Sequence, residues 1–284
     1  MSLRKLLERE NSILVMPGVY DALTAKIAEH VGFEAIFQTG YGTSASMLAL
    51  PDFGFLSITE TLDTARRITR AVDIPLIVDV DTGYGNPLTV AKLVEDLLRI
   101  GASGMFIEDQ VWPKRCGHMR GKEVIDSNEY VQKLKSAIDA KKGNSEFLIV
   151  ARTDAAAPLG LDEAIRRGKL YKEIGADIVF VEAPHSIEDM KMVSAQIDAP
   201  LVANIIEEGV TPNLTASELL DLGYKIALFP LSGLYSSTYA IYNTFDTLKR
   251  TGTTKSMKEK MMKFKEFNEL VELDKYMKME NKYA

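Results

Sequence analysis

One stretch of the sequence decides the fold, and it reads LIVDVDTGYGNPLTVAKLVEDLLRIGASGMFIED over residues 76–109. It begins with an apolar run at 76–80, passes through a polar loop, and continues with apolar residues at helical spacing. Those residues are Leu93, Val94, Leu97 and Leu98. Gly101 ends the helical pattern as a helix C-cap does, and a second apolar run follows at 104–107. This order predicts a strand, a helix and a second strand parallel to the first.

The same unit recurs along the chain. Eight short apolar runs without apolar–polar alternation are typical of strands buried on both faces of a parallel sheet. They occupy 13–16, 35–38, 76–80, 104–107, 147–151, 178–181, 201–203 and 226–229. Eight strand–helix units predict an α/β protein with the (β/α)8 barrel fold, in a single domain over residues 1–284. An open doubly wound sheet is the alternative, but no Gly-x-Gly-x-x-Gly sequence follows the first run.

The composition is that of a folded globular protein, since 46% of the 284 residues are hydrophobic and the formal net charge is −6. The acidic balance argues against nucleic-acid binding, and no apolar run is long enough to cross a membrane. Residues 1–11 are charged and lack the apolar core of a signal peptide. Cys116 is the single cysteine, so no intrachain disulfide can form and we expect a cytoplasmic location.

Residues 249–284 differ from the rest and are rich in Lys, Glu and Met. Their apolar side chains recur at helical spacing, which predicts a C-terminal helical extension. They are Met257, Met261, Phe264, Phe267, Leu270 and Val271. Two interpretations stay open: a final helix that packs on its own barrel, or one that reaches a neighbouring subunit.

An acidic cluster is predicted where the strands end, because barrel active sites form at the C-terminal ends of the strands. Asp79 and Asp81 are two residues apart, so on a strand they share one face, and Glu108 follows the next run. Close carboxylates repel unless a cation or a proton lies between them, and carboxylate oxygens suit Mg²⁺. Asp52 is a further candidate ligand. The alternative interpretation is that these acids cap helices.

A basic loop carries the cysteine, since residues 114–118 read KRCGH. Cations around Cys116 favour its thiolate, and Gly117 and Gly121 allow the loop to move over an anionic substrate. A solvated basic loop with an incidental cysteine is the alternative. A metal site with Cys116 and His118 is not expected, because the chain has three histidines and one cysteine.

Two further strand ends carry candidate anion-binding groups. Arg152 follows the fifth run and suits a carboxylate or phosphate, or else forms an ion pair with Glu108 or Glu182. A small hydrogen-bonding loop follows the second run, and it is either an anion site or a simple turn. Its residues are Gly40, Gly42, Thr43 and Ser44.

Together, five motifs resemble the isocitrate lyase / phosphoenolpyruvate mutase superfamily over nearly the whole chain. They are LPD at 50–52, DVDTGYG at 79–85, EDQ at 108–110, KRCGH at 114–118 and ARTD at 151–154. The Cys-Gly-His sequence resembles the lyase branch, whereas phosphonomutases typically lack this cysteine and have an asparagine in the loop. Residues 111–122 resemble those of 2,3-dimethylmalate lyases and plant 2-alkylmalate lyases most, with methylisocitrate lyases as the alternative.

The resemblance implies a homotetramer whose eighth helix is exchanged between subunits, and a bound Mg²⁺ ion, with Mn²⁺ as the alternative. It implies that Asp79 binds the metal while Asp52, Asp81 and Glu108 hold the waters of the ion. It implies that Thr39, Gly40 and Tyr41 bind the carboxylate and carbonyl end of the substrate. The residues that it implies for the pocket lining are Arg152, Glu182, Asn204 and Pro230. Lys114, Gly117 and His118 are implied to shape the loop beside the substrate, and Cys116 to be the general acid.

The implied reaction is a retro-aldol cleavage of a small dicarboxylate, in which Cys116 protonates the enolised product. Methylisocitrate lyases usually have Thr where this chain has Ile206, and Arg where it has Tyr235, which favours an alkyl group over a third carboxylate. We therefore expect a 2-alkylmalate such as 2,3-dimethylmalate to give pyruvate, or another 2-oxo acid, and a short carboxylic acid. The alternative is methylisocitrate, giving pyruvate and succinate. A carboxyphosphonoenolpyruvate mutase, an oxaloacetate hydrolase (which relies on Ser where Pro230 stands) and a silent dicarboxylate-binding barrel are less favoured.

Overall fold

Eight parallel strands alternate with helices in the computed structural model, which describes residues 1–117 and 121–284. The strands are β1 Leu14–Val19, β2 Ile36–Gln38, β3 Leu76–Asp79, β4 Gly104–Glu108, β5 Leu148–Thr153, β6 Ile178–Val181, β7 Val202–Asn204 and β8 Ile226–Phe229. Their order in the sheet is β6-β5-β4-β3-β2-β1-β8-β7. A parallel bridge between Val179 and Leu201 joins the two ends. The predicted (β/α)8 barrel is therefore confirmed.

Helices connect the strands and cover the outside of the barrel. They are α1 Leu3–Leu7, α2 Ala22–Val31, α3 Gly40–Leu48, α4 Ile58–Ala71, α5 Pro87–Ile100, α6 Ser127–Ala140, α7 Ala156–Leu159, α8 Leu161–Ile174, α9 Ile187–Gln196, α10 Ala216–Asp221, α11 Ser232–Thr251, α12 Phe264–Leu270 and α13 Leu273–Tyr283. Gly32, Gly101 and Gly175 are the C-caps of α2, α5 and α8, in the left-handed conformation that lets the chain turn into the next strand.

The two faces of the strands bury different apolar clusters. Ile77, Phe106 and Phe180 point into the barrel, where helix α1 closes the N-terminal end with Leu3 and Leu6. The outward-facing residues of the strands pack against α4, α5, α6 and α8. Because the interior is filled with side chains, the C-terminal rim is the face on which polar side chains can converge.

The predicted C-terminal helical extension is confirmed, and after α11 it consists of three short elements. Gly252, with a φ of 68°, ends α11, and a 3-10 helix at Lys255–Lys260 precedes α12 and α13. A left-handed Glu272, with a φ of 58°, then separates α12 from α13. The apolar side chains at helical spacing are thus divided among several elements, because the backbone reverses between them.

Helix α11 carries a large apolar face that the barrel does not cover. Tyr239, Tyr242 and Phe245 are 73%, 71% and 66% exposed, whereas Leu234 near the start of the helix is buried. In the part of the chain that the structure describes, each helix is too short or too polar to cross a bilayer.

Candidate active site

The predicted site residues meet at the C-terminal rim of the barrel. Asp79, Glu108 and Asn204 are the last residues of β3, β4 and β7, and Glu108 pairs in register with Arg152 of β5. One pocket at this rim is lined by Phe37, Thr39, Tyr41, Asp52, Asp79, Phe106, Lys114, Cys116, Gly117, Arg152, Phe180, Ile206, Leu228, Pro230 and Leu231. Four more predicted residues each contact a residue of this lining: Gly40, Asp81, Glu108 and Glu182. Asn204 reaches the lining through Glu182. His118 lies outside the described residues.

Lys114 lies between two of the predicted acids. Its Nζ atom is 2.5 Å from Asp52 Oδ1 and 2.7 Å from Asp81 Oδ1, and all three side chains are buried. Burial lowers the pKa of Lys114, but the acids around it outweigh that effect and hold the pKa above its ordinary value. From its place in the sequence, Lys114 is expected among the cations around the thiol of Cys116. The structure instead places its ammonium group among the carboxylates.

Asp79 and Asp81 lie together, as their spacing predicted. Asp79 accepts hydrogen bonds from the backbone N–H groups of Gly40, at 3.2 Å, and of Asp81, at 3.1 Å. Gly40 is the first residue of α3, so the capping interpretation holds in part for Asp79. Burial, opposed by Lys114, raises the pKa of Asp81 to about 7.

The carboxylates fit a hard cation that is bound largely through water. Glu108 Oε1 is buried and finds no hydrogen-bond donor among the described residues. Burial raises the pKa of Glu108 well above its ordinary value, so the ionised group needs further positive charge nearby. Within residues 1–117 and 121–284, no three His, Cys, Asp or Glu side chains meet as direct ligands of one ion. Mg²⁺ usually takes only one or two carboxylates directly and keeps several waters, so this donor set suits it.

Arg152 is surrounded by three buried carboxylates. Its Nε atom is 2.8 Å from Asp154, 3.4 Å from Glu108 and 3.5 Å from Glu182. The ion pairs with Glu108 and Glu182 that the sequence suggested are thus both present. Asn204 extends the cluster by donating from Nδ2 to both oxygens of Glu182 at 3.3 and 3.4 Å.

Asp154 is the residue of this cluster that was not predicted as a site residue from the sequence. Arg152 donates to both of its oxygens, from Nε at 2.8 Å and from Nη2 at 3.0 Å. Burial acts to raise the pKa of Asp154, but Arg152 and Lys122 outweigh it and hold the pKa below its ordinary value. The signal in the sequence is its place two residues after Arg152, on the same side of a strand end.

Asp109 forms a second polar layer beneath the rim. It accepts hydrogen bonds from Thr153 Oγ1 and Tyr171 Oη at 2.8 Å and from Arg167 Nη1 at 2.9 Å. It also accepts one from the backbone N–H of Asp154 at 2.8 Å. This network fixes the end of β5 and with it the position of Arg152.

The segment at residues 111–117, which follows β4, reaches over the pocket. Cys116 is half-buried and lines the pocket, as does the buried Gly117. A Cβ atom on Gly117 would stand 2.5 Å from Arg152 Nη2 and 2.5 Å from Glu182 Cδ. Because real Cβ atoms do not approach other atoms so closely, a glycine is required for this fit.

The predicted small loop at 40–44 is corrected to the first turn of helix α3. Thr39 is its N-cap, and the Thr39 hydroxyl accepts a hydrogen bond from the N–H of Gly42 at 3.2 Å. A Cβ atom on Gly42 would lie 2.6 Å from Thr39 Cγ2, which explains the glycine there. The start of α3 faces Asp79, so its positive end borders the acidic cluster.

Comparison with protein families identifies the chain. The model of the family described as phosphoenolpyruvate phosphomutase matches residues 3–244. This chain belongs to the phosphoenolpyruvate mutase / isocitrate lyase superfamily. The family resemblance seen in the five motifs is therefore confirmed, and relatives within the superfamily include lyases.

Curated relatives cover nearly the whole chain. The petal death protein of Dianthus caryophyllus is 47% identical over 99% of this chain and 88% of its own length. A chloroplastic carboxyvinyl-carboxyphosphonate phosphorylmutase of Arabidopsis thaliana is 47% identical over 97% of this chain and 82% of its own length. The 2,3-dimethylmalate lyase of Eubacterium barkeri is 43% identical over 99% of this chain and 97% of its own length.

Solved structures of several activities share the fold of this chain. An oxaloacetate acetylhydrolase with the inhibitor 3,3-difluorooxalacetate has a TM-score of 0.93 and 35% identity, covering 99% of this chain and 96% of the other. A 2,3-dimethylmalate lyase also has a TM-score of 0.93 and 35% identity, covering 99% and 94%. A phosphonopyruvate hydrolase complexed with oxalate and Mg²⁺ has a TM-score of 0.88 and 29% identity, covering 99% and 97%. The overall fold alone does not distinguish these reactions.

Proposed function

We propose that this chain is a Mg²⁺-dependent carbon–carbon lyase that cleaves a 2-alkylmalate, such as 2,3-dimethylmalate, to pyruvate or another 2-oxo acid and a short carboxylic acid. The observation that carries the proposal is a pocket in which a thiol and a guanidinium group face an apolar wall. Cys116 and Arg152 share this pocket with Ile206 and Leu231. Such a lining suits a substrate with charged carboxylates and an alkyl side.

The acidic cluster supports the choice of metal. We propose that Asp79 binds Mg²⁺ directly, that Asp52, Asp81 and Glu108 hold the waters of the ion, and that Mn²⁺ is the alternative. When bound, the ion supplies Lewis acidity to the 2-hydroxyl group of the substrate and its neighbouring carboxylate. The lysine that pairs with Asp52 and Asp81, Lys114, balances the negative charge that the cluster concentrates in the barrel.

The remaining residues bind and orient the substrate. The hydroxyl of Thr39 and the start of α3, with Gly40 and Tyr41, offer polar groups to its carboxylate and carbonyl end. The guanidinium of Arg152 offers its N–H groups to the other carboxylate and stabilises charge there as the carbon–carbon bond breaks.

Cys116 supplies the proton that completes the reaction. Its Sγ atom belongs to the segment above the pocket, and Gly117 keeps that segment close to Arg152. In the proposed step the protonated thiol donates its proton to the carbon of the enolised carboxylic acid, and Arg152, which shares the pocket, stabilises the thiolate that remains. Because this segment also covers the pocket, it excludes water that would otherwise compete as the acid.

Other activities of the superfamily fit these residues less well. A phosphorylmutase is named among the relatives, but Cys116 and Gly117 follow the lyase pattern. An oxaloacetate hydrolase relies on a serine, whereas Pro230 lines this pocket. A methylisocitrate lyase needs polar groups for a third carboxylate, and this chain has Ile206 and Tyr235 there.

A substrate panel tests the proposed function. The purified protein with Mg²⁺ is given 2,3-dimethylmalate, 2-methylisocitrate and oxaloacetate, and 2-oxo acid release is followed together with oxalate release. We expect kcat/KM to be highest for 2,3-dimethylmalate and lost when the metal is chelated. Preferred cleavage of 2-methylisocitrate supports the alternative lyase, and release of oxalate from oxaloacetate supports a hydrolase. Conversion of phosphonate substrates without cleavage of any malate contradicts the proposal.

Replacing Ile206 with Thr and Tyr235 with Arg should shift the preference toward 2-methylisocitrate. Ile206 is buried in the pocket wall. Burial is the main effect that raises the pKa of Tyr235 to about 12, and the neighbouring Tyr41 and Cys116 add to it. We expect the ratio of kcat/KM for 2-methylisocitrate over 2,3-dimethylmalate to rise about 10- to 100-fold, the range that a few pocket contacts supply. Val31→Thr, at an exposed position at the end of α2, is the control, and an unchanged ratio in the double variant would contradict the assigned alkyl pocket.

We also propose that the chain forms a homotetramer by exchanging helices that include α11. Its exposed Tyr239, Tyr242 and Phe245 form an apolar face of the kind that a protein–protein contact covers. Sedimentation velocity should give a mass of four chains, and Tyr242→Lys combined with Phe245→Lys should reduce it to that of smaller species. Leu88→Lys, at another exposed site, should leave the mass unchanged. A monomeric wild-type protein would refute this assembly.

The proposed chemistry has a consequence for the compartment. Cys116 acts as an acid only while its thiol is reduced, and an oxidising environment would convert it to inactive products. We therefore propose a cytoplasmic location, where thiols stay reduced.

A further inference from the structure

Lys122 is a buried lysine that the proposed reaction does not use. Its Nζ atom donates to the backbone carbonyl of Gly117 and, at 3.0 Å, to Asp154 Oδ1. The side chains of Lys122 and Asp154 are 1% and 0% exposed. A lysine loses much hydration when it is buried so completely, so the contacts that it makes in return must be specific.

The contact with the Gly117 carbonyl does not join two parts of the barrel, because Gly117 belongs to the segment above the pocket. Asp154 already receives two hydrogen bonds from Arg152, which belongs to the same strand end. Gly117, in contrast, lies in the segment above the pocket, and the structure places its Cα so close to Arg152 and Glu182 that no Cβ fits. Lys122 therefore connects the Gly117 backbone to Asp154, which directly follows β5 and pairs with Arg152.

We propose that Lys122 is a positioning residue that holds Gly117, and with it the neighbouring Cys116, close to Arg152 and Glu182. Lys114 anchors the preceding end of the same segment through Asp52 and Asp81. With both lysines in place, Cys116 has little freedom to move away from Arg152. The consequence for turnover rests on the proposed function, whereas the anchoring itself can be measured on the protein without substrate.

Cys116 is the single cysteine of the chain, so its thiol reports directly on the position of the segment. The test measures the rate at which 5,5′-dithiobis(2-nitrobenzoate) modifies Cys116 in the full-length protein and in Lys122→Met. We expect modification to be about tenfold faster in the variant, the shift that losing one hydrogen bond from a charged donor produces. Removing a nearby cation would by itself lower the thiolate fraction and slow the reaction, so a faster rate reports exposure of the thiol.

Lys141→Met is the matched control. Lys141 also contacts a carbonyl and a carboxylate, at 3.3 Å from Phe147 O and 2.8 Å from Asp177 Oδ2, but it lies outside the pocket. It should leave the modification rate unchanged. A rate in Lys122→Met within twofold of the wild type overturns the proposal, and so does an equal increase in Lys141→Met.

A second variant covers the case in which Lys122→Met does not fold. Lys122→Gln keeps a donor on a shorter, neutral side chain and should also give faster modification than the wild type. If neither variant yields folded protein, the proposal is overturned as well, because Lys122 would then support the barrel and not the segment above the pocket. If labelling is faster but no malate is cleaved by the wild type, the anchoring stands and the proposed function fails.

Discussion

Replacing Cys116 with serine should lower kcat for cleavage of the preferred malate by about 10²- to 10⁴-fold, the range that a positioned general acid contributes. The two side chains are similar in size, so a serine fits the place that the thiol has beside Arg152 and Ile206. A hydroxyl group, however, is a far weaker acid than a thiol, whose ordinary pKa is about 8.5. The enolised product would then stay unprotonated in the pocket and re-form the substrate.

The measurement is single-turnover release of the 2-oxo acid, compared with metal binding in the same preparation. Mn²⁺ affinity, followed by electron paramagnetic resonance, should be unchanged, because the proposed metal site consists of carboxylates and does not include Cys116. An unchanged affinity with lost turnover assigns the defect to proton transfer. Turnover within threefold of the wild type would remove Cys116 from the role of acid.

The fold follows from local sequence patterns to a large extent. Two of the eight apolar runs, at 178–181 and 226–229, match β6 and β8 residue for residue, and the others differ by a few residues at their ends. The largest difference is at β1, which extends to Val19 through Pro17 and Gly18. Pro17 lacks a backbone N–H, which locally favours a strand end, yet the neighbouring strands β2 and β8 pair along this stretch.

The candidate site was predicted less completely, because its charges are balanced by residues that are far apart in the chain. Lys114 pairs with Asp52 across 62 positions, and Lys122 pairs with Asp154 across 32. No local pattern relates such residues, since only the closed barrel brings them together. Asp79, Asp81 and Glu108 were easier to predict, because they lie at the ends of apolar runs and barrel strands end on one rim.

The C-terminal region shows a different limit. Met257, Phe264 and Leu270 share helical spacing, but spacing describes side chains and not the backbone turns between them. Of these, Leu270 is buried, and Glu272 forms an ion pair with Lys26 of α2 at 3.6 Å. Tertiary contacts thus decide where each helix of the predicted extension ends, which the side-chain spacing alone does not show.

Replacing Arg152 with methionine should lower the free energy of unfolding by about 3–5 kcal/mol, as expected when one partner of a buried ion pair is removed. Methionine is of similar length but leaves Glu108, Asp154 and Glu182 together without the guanidinium that separates them. Lys122 still contacts Asp154, and the amide of Asn204 still donates to Glu182, but neither group replaces the guanidinium among the three carboxylates. Turnover should be lost in addition, because the same guanidinium is the proposed carboxylate-binding group.

The free energy of unfolding is measured with urea for Arg152→Met and for the control Arg166→Met. The comparison separates the effect of losing a buried ion pair from that of losing a positive charge. Arg166 also pairs closely with a carboxylate, Glu163, at 2.6 Å, but its side chain is 54% exposed, so its loss should cost less than about 1 kcal/mol. Arg152→Lys should recover part of the stability, because it restores a cation. It should recover little of the turnover, because an ammonium group cannot form the bidentate hydrogen bonds that a guanidinium forms with a carboxylate. Equal stability losses in Arg152→Met and Arg166→Met would show that the three carboxylates do not depend on Arg152. Full turnover in Arg152→Lys would show that the pocket needs only a positive charge at this position.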